Sequence, residues 1–222
     1  MTHMGGQSFV YWVRRGRRKI KREGRDFYGV YWYVMDGSTF LTPAKAVHAA
    51  KIQEGMHVAD FGAGSGFFTR AAARAVGPKG VVWAVDIQQD LLSRIKNLAA
   101  VEGLHNVEVV HGDVESKNGS HLPPGQFDFC IVANLLFAVE AKKALVQEVY
   151  RVLRAGGPDS PWGPGCALVV DWAGSFGGLG PHEAHVYAEG AAHELFTQNG
   201  FTYVDSVPAG AYHWGFVVRK KA

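Results

Sequence analysis

The stretch VADFGAGSGFFTRAAARAV, positions 58–76, restricts the possible folds of this chain more than any other. Its apolar start ends in an aspartate, glycines follow at 62, 64 and 66, and an alanine-rich amphipathic run begins at Phe67. Strand, glycine turn and helix in that order make the opening of a βαβ unit. The glycines permit positive φ and close backbone approach, and the helix N-terminus offers unpaired N–H groups to a ligand. In an open parallel sheet such a turn lies at the carboxyl ends of the strands, in the crevice where ligands bind.

The remaining chain continues the alternation. Strands are predicted at His57 to Phe61, Val81 to Asp86, Val107 to His111, Phe127 to Ala133, Ala167 to Trp172, Phe201 to Val207 and Trp214 to Arg219. Thr42 and Pro43 supply an N-cap and a first-turn proline for a helix reaching about Gln53. Further helices are expected near 67–76, 89–102, 141–153 and 183–199. The stretch VESKNGSHLPPG is too polar and too rich in Pro and Gly for a helix, so the third crossover should be mostly loop. AGGPDSPWGPG reads as a surface insertion before the fifth strand. The last two strands are too close for a crossover helix and should pair as an antiparallel hairpin at one sheet edge. The expected fold is α/β and Rossmann-like, a seven-stranded, mostly parallel sheet with that hairpin at its edge. Residues 43–222 form its domain, and residues 1–42, basic and aromatic without a clean period, form an N-terminal extension.

At 222 residues, one such domain accounts for most of the chain. No apolar run approaches the roughly 18 to 20 residues of a membrane span, and no signal-peptide pattern follows the basic N-terminus, so a cytoplasmic location is expected. Both cysteines, Cys130 and Cys166, fall within predicted strands and read as buried free thiols, leaving no metal site to infer from them. The formal charge of +3 conceals an asymmetry. RRGRRKIKREGR, from Arg14 to Arg25, carries eight basic residues against one Glu. Such a block suits a solvated arm or a docking segment for RNA or another polyanion.

What the glycine turn holds is narrowed by its details. A dinucleotide fingerprint starting at Gly62 requires glycine or alanine at 67, where this chain has Phe67. The acid at Asp60 suits a ligand with a cationic end better than a pyrophosphate, which it would repel. Asp86 ends the second strand, where a carboxylate can accept from both hydroxyls of a ribose. Asp113, in HGDVE past the third strand, is placed to meet an adenine amine. Each acid alone reads better as a helix N-cap or loop solvator; three at successive strand ends, beside this turn, do not.

Together VADFGAGSG, Asp86 and Asp113 resemble the motifs of class I S-adenosylmethionine-dependent methyltransferases. The resemblance continues through FDFCIVANLLFAV and ALVQEVYRVLRAGG and is nearest the branch of quinone-biosynthesis C-methyltransferases and related small-molecule enzymes. It implies that S-adenosylmethionine is the cofactor and S-adenosylhomocysteine its product. Asp60 and the turn of Gly62, Ala63, Gly64 and Gly66, with Phe67, would hold the methionine part. Asp86 would hold the ribose and Asp113 the adenine amine, with Ile87 and Val114 flanking the ring and Asn134 at the fourth strand end.

Displacement at a sulfonium needs alignment and a dry site more than acid–base machinery. Candidate catalytic residues are Asn134, Asp171, Tyr212 and His213. Asn134 follows an apolar strand and should face the crevice, toward substrate or the cofactor backbone. Asp171 ends the fifth strand and reads as a crevice residue or a solvated strand end. Tyr212 and His213, in AYHWG, suit a base or orienter, or packing at the sheet edge. His182 and His185, in GPHEAH, share a helical spacing but have no third ligand nearby, so no metal is expected. NLLF at the fourth strand end departs from the N-P-P-Y type signature of base and glutamine N-methylation. A small-molecule acceptor is therefore the leading expectation. RNA or ribosomal-protein methylation through the basic segment and an NAD-linked oxidoreductase are the alternatives, the latter opposed by Phe67.

Overall fold

In this computed structural model the described residues are 18–22, 25–29, 40–155, 165–176 and 179–221. The chain divides into two compact units, residues 1–37 and 38–222. Within the first, β1 (Arg18–Arg22) and β2 (Arg25–Gly29) pair antiparallel in the register Arg18 to Gly29. The sequence had suggested no regular element there. The rest of the Arg14 to Arg25 block lies outside the described residues, as do residues 156–164 of the expected surface insertion.

In the second unit, α1 (Pro43–Ala49) precedes the alternating run β3 (His57–Phe61), α2 (Phe67–Val76), β4 (Val81–Asp86), α3 (Gln89–Val101) and β5 (Val107–His111). Then come β6 (Phe129–Ala133), α4 (Lys142–Val152), β7 (Cys166–Trp172), α5 (Glu189–Gln198), β8 (Phe201–Ser206) and β9 (His213–Lys220). The sheet order is β5-β4-β3-β6-β7-β9-β8. The five strands from β5 to β7 are parallel, and β9 runs antiparallel to both β7 and β8. Winding runs outward from β3 to β5 and restarts at β6, so the order reverses between β3 and β6. That reversal opens a crevice at their carboxyl ends.

Both sheet faces are covered, which is why the central strands read as continuous apolar runs. Val58, Ala84, Ile131, Leu168 and Val217 pack with α1, α2 and α3. Ala59, Val85, Val132, Val169 and Phe216 pack with α4 and α5. Cys130 and Cys166 are buried side chains in β6 and β7. α2 buries Phe68, Ala72 and Val76 at helical spacing and stops at Gly77, whose φ is +60°. The Asn106 side-chain amide closes its end by donating to the Ala73 and Gly77 carbonyls at 2.8 Å each. The crossover after β5 is loop, as its composition indicated, and is fastened to α4 from both ends. Glu115 Oε2 accepts from the N–H groups of Glu140 and Ala141, and buried Glu148 accepts from the Ser120 hydroxyl and N–H and pairs with Arg151.

The helix expected over 183–199 is two pieces. A single 3-10 turn, Glu183–His185, is followed by extended Val186 and then by α5 from Glu189. Tertiary contacts override helix propensity at Tyr187: its carbonyl accepts from Trp214 Nε1 at 3.2 Å, and Lys142 Nζ lies 5.2 Å from its ring centroid. α1 likewise ends at Ala49, and Lys51 turns left-handed at φ +57°.

Candidate cofactor and acceptor site

The glycine turn bridges β3 and α2 at the reversal point. Gly62, Gly64 and Gly66 all have positive φ, between +53° and +73°. The Gly62 and Ala63 N–H groups donate to the Val85 carbonyl at 2.9 and 3.1 Å, tying the turn to the end of β4. A Cβ on Gly62 would stand 2.6 Å from Leu135 Cδ1, and one on Gly66 2.7 Å from Ile95 Cγ1. One on Gly64 meets nothing closer than the Gly62 carbonyl at 3.9 Å, so the middle of the turn is open backbone. Phe67 starts the helix with its ring about half exposed.

Asp60 is buried, and its Oδ2 accepts from the Thr69 hydroxyl at 2.6 Å. Burial pushes its pKa up to about 7, opposed by the Thr69 hydrogen bond and assisted by the negative charge of Asp86. Asp86 Oδ2 accepts from the Gly64 N–H at 2.8 Å and its Oδ1 from the Gln88 N–H at 2.8 Å. The next residue, Ile87, is 61% exposed, an apolar side chain standing free at the crevice rim. Asp113 accepts from the Glu115 N–H and the Ser116 hydroxyl, which hold its carboxyl below the usual range. These two local bonds make Asp113 a turn-forming residue and leave its other lone pairs available. Val114 beside it is buried.

These residues fit an adenosyl sulfonium. An open backbone bend, a buried carboxylate paired with no cation among the described residues, a strand-end carboxylate and an exposed aliphatic rim lie at three neighbouring strand ends. Such a ligand would bring the positive charge, hydroxyl donors and flat apolar ring that this set lacks.

On the other side of the reversal, Asn134 follows β6 in a left-handed conformation, φ +53°, with its N–H donated to the Val170 carbonyl at 2.8 Å. Its buried Oδ1 has no partner. Asp171 departs from expectation, being fully buried instead of solvated or open to the crevice. It lies on the α4 and α5 face, as its neighbours in β7 alternate. Its Oδ2 accepts from Leu136 N–H at 2.8 Å and Phe137 N–H at 3.4 Å, and its Oδ1 from Trp172 N–H at 2.8 Å. Burial pushes its pKa up to about 6. The side chain thus shapes the 134–137 turn and acts through it. Sequence reasoning missed this because the amide donors come from a loop some 35 positions away.

Trp172 and His213 are register partners across β7 and β9, with ring centroids 4.1 Å apart. His213 is 9% exposed, neither ring nitrogen has a partner, and burial pushes its pKa down to about 4. Tyr212 contacts Phe40 and Phe176, at centroid distances of 5.2 and 4.9 Å. His182 Nδ1 accepts from the Ala184 N–H, an N-cap of the 3-10 turn, and the His182 and His185 rings lie 6.4 Å apart on exposed residues. Among the described residues no group of three metal-binding side chains occurs, and no helix is long and apolar enough to cross a membrane.

Comparison with known proteins agrees with this geometry. The protein family described as "Methyltransferase domain" matches residues 58–157. Demethylmenaquinone methyltransferase of Listeria monocytogenes is 26% identical over 192 residues, covering 75% of this chain and 80% of that enzyme. The enzyme of the same name from Geobacillus stearothermophilus is 30% identical over 106 residues, a match spanning 48% of this chain and only 44% of the relative. Among solved structures, a SAM-dependent methyltransferase from Aquifex aeolicus superposes with a TM-score of 0.71 at 25% identity, covering 82% of this chain and 93% of that one.

Proposed function

The chain belongs to the class I S-adenosylmethionine-dependent methyltransferase family, and on that premise we propose that it methylates a small, planar, quinone-related molecule. The observation that carries this reading is the open turn at Gly64 between two strand-end carboxylates, Asp60 and Asp86, at the point where the sheet order reverses. The names of the relatives, two demethylmenaquinone methyltransferases, support the acceptor class.

In this reading Asp60, Gly62, Ala63, Gly64, Gly66 and Phe67 receive the methionine part. Asp86 takes the ribose; Asp113, Ile87 and Val114 take the adenine. Asn134 offers its buried oxygen to the cofactor backbone or the acceptor. Tyr212 and His213 line the acceptor side, and Asp171 holds the turn that carries Asn134. When bound, S-adenosylmethionine supplies a methyl group on an already activated leaving group. The protein's own contribution is to fix the acceptor in line, exclude water and place negative charge near the cation. Residues 43–222 are the catalytic unit, residues 1–42 an accessory extension, and the protein acts in the cytoplasm.

The test is calorimetry with S-adenosylhomocysteine, then incubation with methyl-labelled S-adenosylmethionine, a demethylated quinol and total RNA. Label in the quinol is the expected result. Label in RNA would replace the acceptor assignment, and failure to bind S-adenosylhomocysteine would remove the cofactor assignment itself.

A further inference from the structure

Among the described residues, the buried side-chain polar atoms without a partner are Asn134 Oδ1, His193 Nε2 and both ring nitrogens of His213. His193 Nε2 has Glu189 Oε1 3.9 Å away across one helical turn. The others lie at the carboxyl edge of β6 and, two strands further along the sheet, at the start of β9 beside the carboxyl end of β7. An unpartnered buried imidazole is costly, because two hydrogen-bonding atoms have left water with nothing in return. Both ring nitrogens bear that cost in His213, although the register leaves a polar residue no better reason to be there than an apolar one. Its flat face is already satisfied by Trp172 at 4.1 Å; its edge is not.

Resting on the methyltransferase reading above, we propose that His213 is a catalytic residue that takes the proton from a hydroxyl group on the planar acceptor. The β7 and β9 register sets Trp172 and His213 on the sheet face that also carries Val170 and Val217, the face of α1. Phe40, immediately before α1, and Phe176, shortly after β7, both contact Tyr212, the residue next to His213. A flat, hydroxylated ring entering among these aromatics would meet mostly apolar ring faces, with the imidazole edge the one basic group of the set, so its O–H would be drawn there. A carboxylate in the same place would pair with the cationic cofactor's charge in the ground state. A neutral imidazole does not.

The step balances in atoms and charge. The acceptor O–H proton passes to a ring nitrogen of His213. The electron pair so released, on oxygen or on the conjugated ring carbon, forms the bond to the methyl carbon; in the carbon case the imidazolium then returns its proton to the oxygen as the ring C–H proton is lost to solvent. The methyl–sulfur bond breaks and sulfur keeps its pair. One positive charge disappears at sulfur as one appears on the imidazolium, so the net charge of the buried site is unchanged. The proton leaves to solvent when product departs.

The test uses the full chain and a series of para-substituted phenols from nitro to methoxy. His213→Phe keeps the ring stacked on Trp172 and removes both nitrogens; His213→Asn keeps a polar edge and removes the base. Proton removal by a positioned side chain is worth about 100-fold or more. Both variants should therefore lose about that factor on the weakly acidic methoxyphenol and much less on nitrophenol, which ionises unaided. Independently of turnover, at about pH 5, where free 4-nitrophenol is protonated and the imidazole neutral, 4-nitrophenol added with S-adenosylhomocysteine should show a red-shifted absorption on the wild type, its O–H bonded to the imidazole, and none on His213→Phe. Equal losses along the whole phenol series, or an unchanged red shift in His213→Phe, would overturn the role of His213. So would a wild type that binds S-adenosylhomocysteine yet neither binds nor methylates any phenol. A wild type that fails to bind S-adenosylhomocysteine would overturn the methyltransferase reading on which the proposal stands.

Discussion

The carboxylate of Asp86 spans the mouth of the glycine turn, holding the Gly64 N–H with one oxygen at 2.8 Å and the Gln88 N–H with the other at 2.8 Å. The end of β4 thereby sets the shape of a turn that belongs to β3. Each oxygen keeps acceptor capacity for a ribose hydroxyl, so the same side chain can brace the turn and bind the ligand. Asp86→Ala should cut S-adenosylhomocysteine affinity about tenfold or more, the worth of a charge-assisted hydrogen bond. It should also lower the melting temperature, since the Gly64 and Gln88 amides lose their partner. Calorimetry and thermal unfolding check the two effects separately, and unchanged affinity would remove Asp86 from the cofactor site.

Asp60 links stability to cofactor binding. Its pKa near 7 in the folded chain lies above its unfolded value of 3.8, so the native state holds the proton more tightly. Its contribution to stability is therefore full below about pH 4 and is lost as pH rises through 7. Asp60→Asn keeps an oxygen for the Thr69 hydroxyl and removes the buried charge, so at pH 8 it should stabilise the apo protein by on the order of 2 kcal/mol. Cofactor binding should behave oppositely. If only ionised Asp60 accepts the ligand's positive charge, S-adenosylhomocysteine affinity rises about tenfold between pH 6 and pH 8 and becomes flat in the variant. Denaturant unfolding and calorimetry across that range measure both.

The three glycines of the turn should fail in different ways. At Gly66 an added Cβ meets Ile95 Cγ1 at 2.7 Å in a backbone at φ +73°, so Gly66→Ala should destabilise the fold by about 2 kcal/mol or more. At Gly64 the space is open and φ is +53°, so Gly64→Ala should cost only about 1 kcal/mol of stability. Its methyl group, however, would stand where backbone should meet ligand. Gly64→Ala is expected to weaken S-adenosylhomocysteine binding more than it lowers stability, and Gly66→Ala the reverse, as read by calorimetry beside urea unfolding.

These features differ in how far the sequence discloses them. The glycine turn and the acids at Asp60, Asp86 and Asp113 were legible because each is local: a strand end is marked by the switch from apolar alternation to a polar or glycine residue. The mostly parallel sheet followed from strand and helix alternation, and the edge hairpin from a connection too short to cross over. Asp171 was not legible, because a carboxylate at a strand end looks solvated until the Leu136 and Phe137 amides are folded onto it. The break at Tyr187 was hidden for the same reason, its carbonyl being claimed by Trp214, 27 positions away. In the N-terminal segment, mixed basic and aromatic residues gave no period from which to read the β1 and β2 pairing.

In the proposed reading Asp171 governs the acceptor side through the turn it holds. Its carboxylate is the shared acceptor for the Leu136, Phe137 and Trp172 amides, which fixes the turn carrying Asn134 to the end of β7. Asp171→Ala leaves these buried amides unpaired and should destabilise the protein by about 2 to 4 kcal/mol. Because the turn it holds carries Asn134 and packs Leu135 against Gly62, methyl transfer should fall, and S-adenosylhomocysteine affinity should weaken less than in Asp86→Ala, whose carboxylate is removed outright. The folded pKa near 6 lies above the unfolded value, so the wild type's advantage over Asp171→Asn should shrink as pH rises from about 4 through 6 and then stay level. Urea unfolding of both proteins between pH 4.5 and 8 measures that difference. A gap that widens with pH would mean that the ionised carboxylate is the favoured form, and that its bonds to the turn outweigh the cost of burying it.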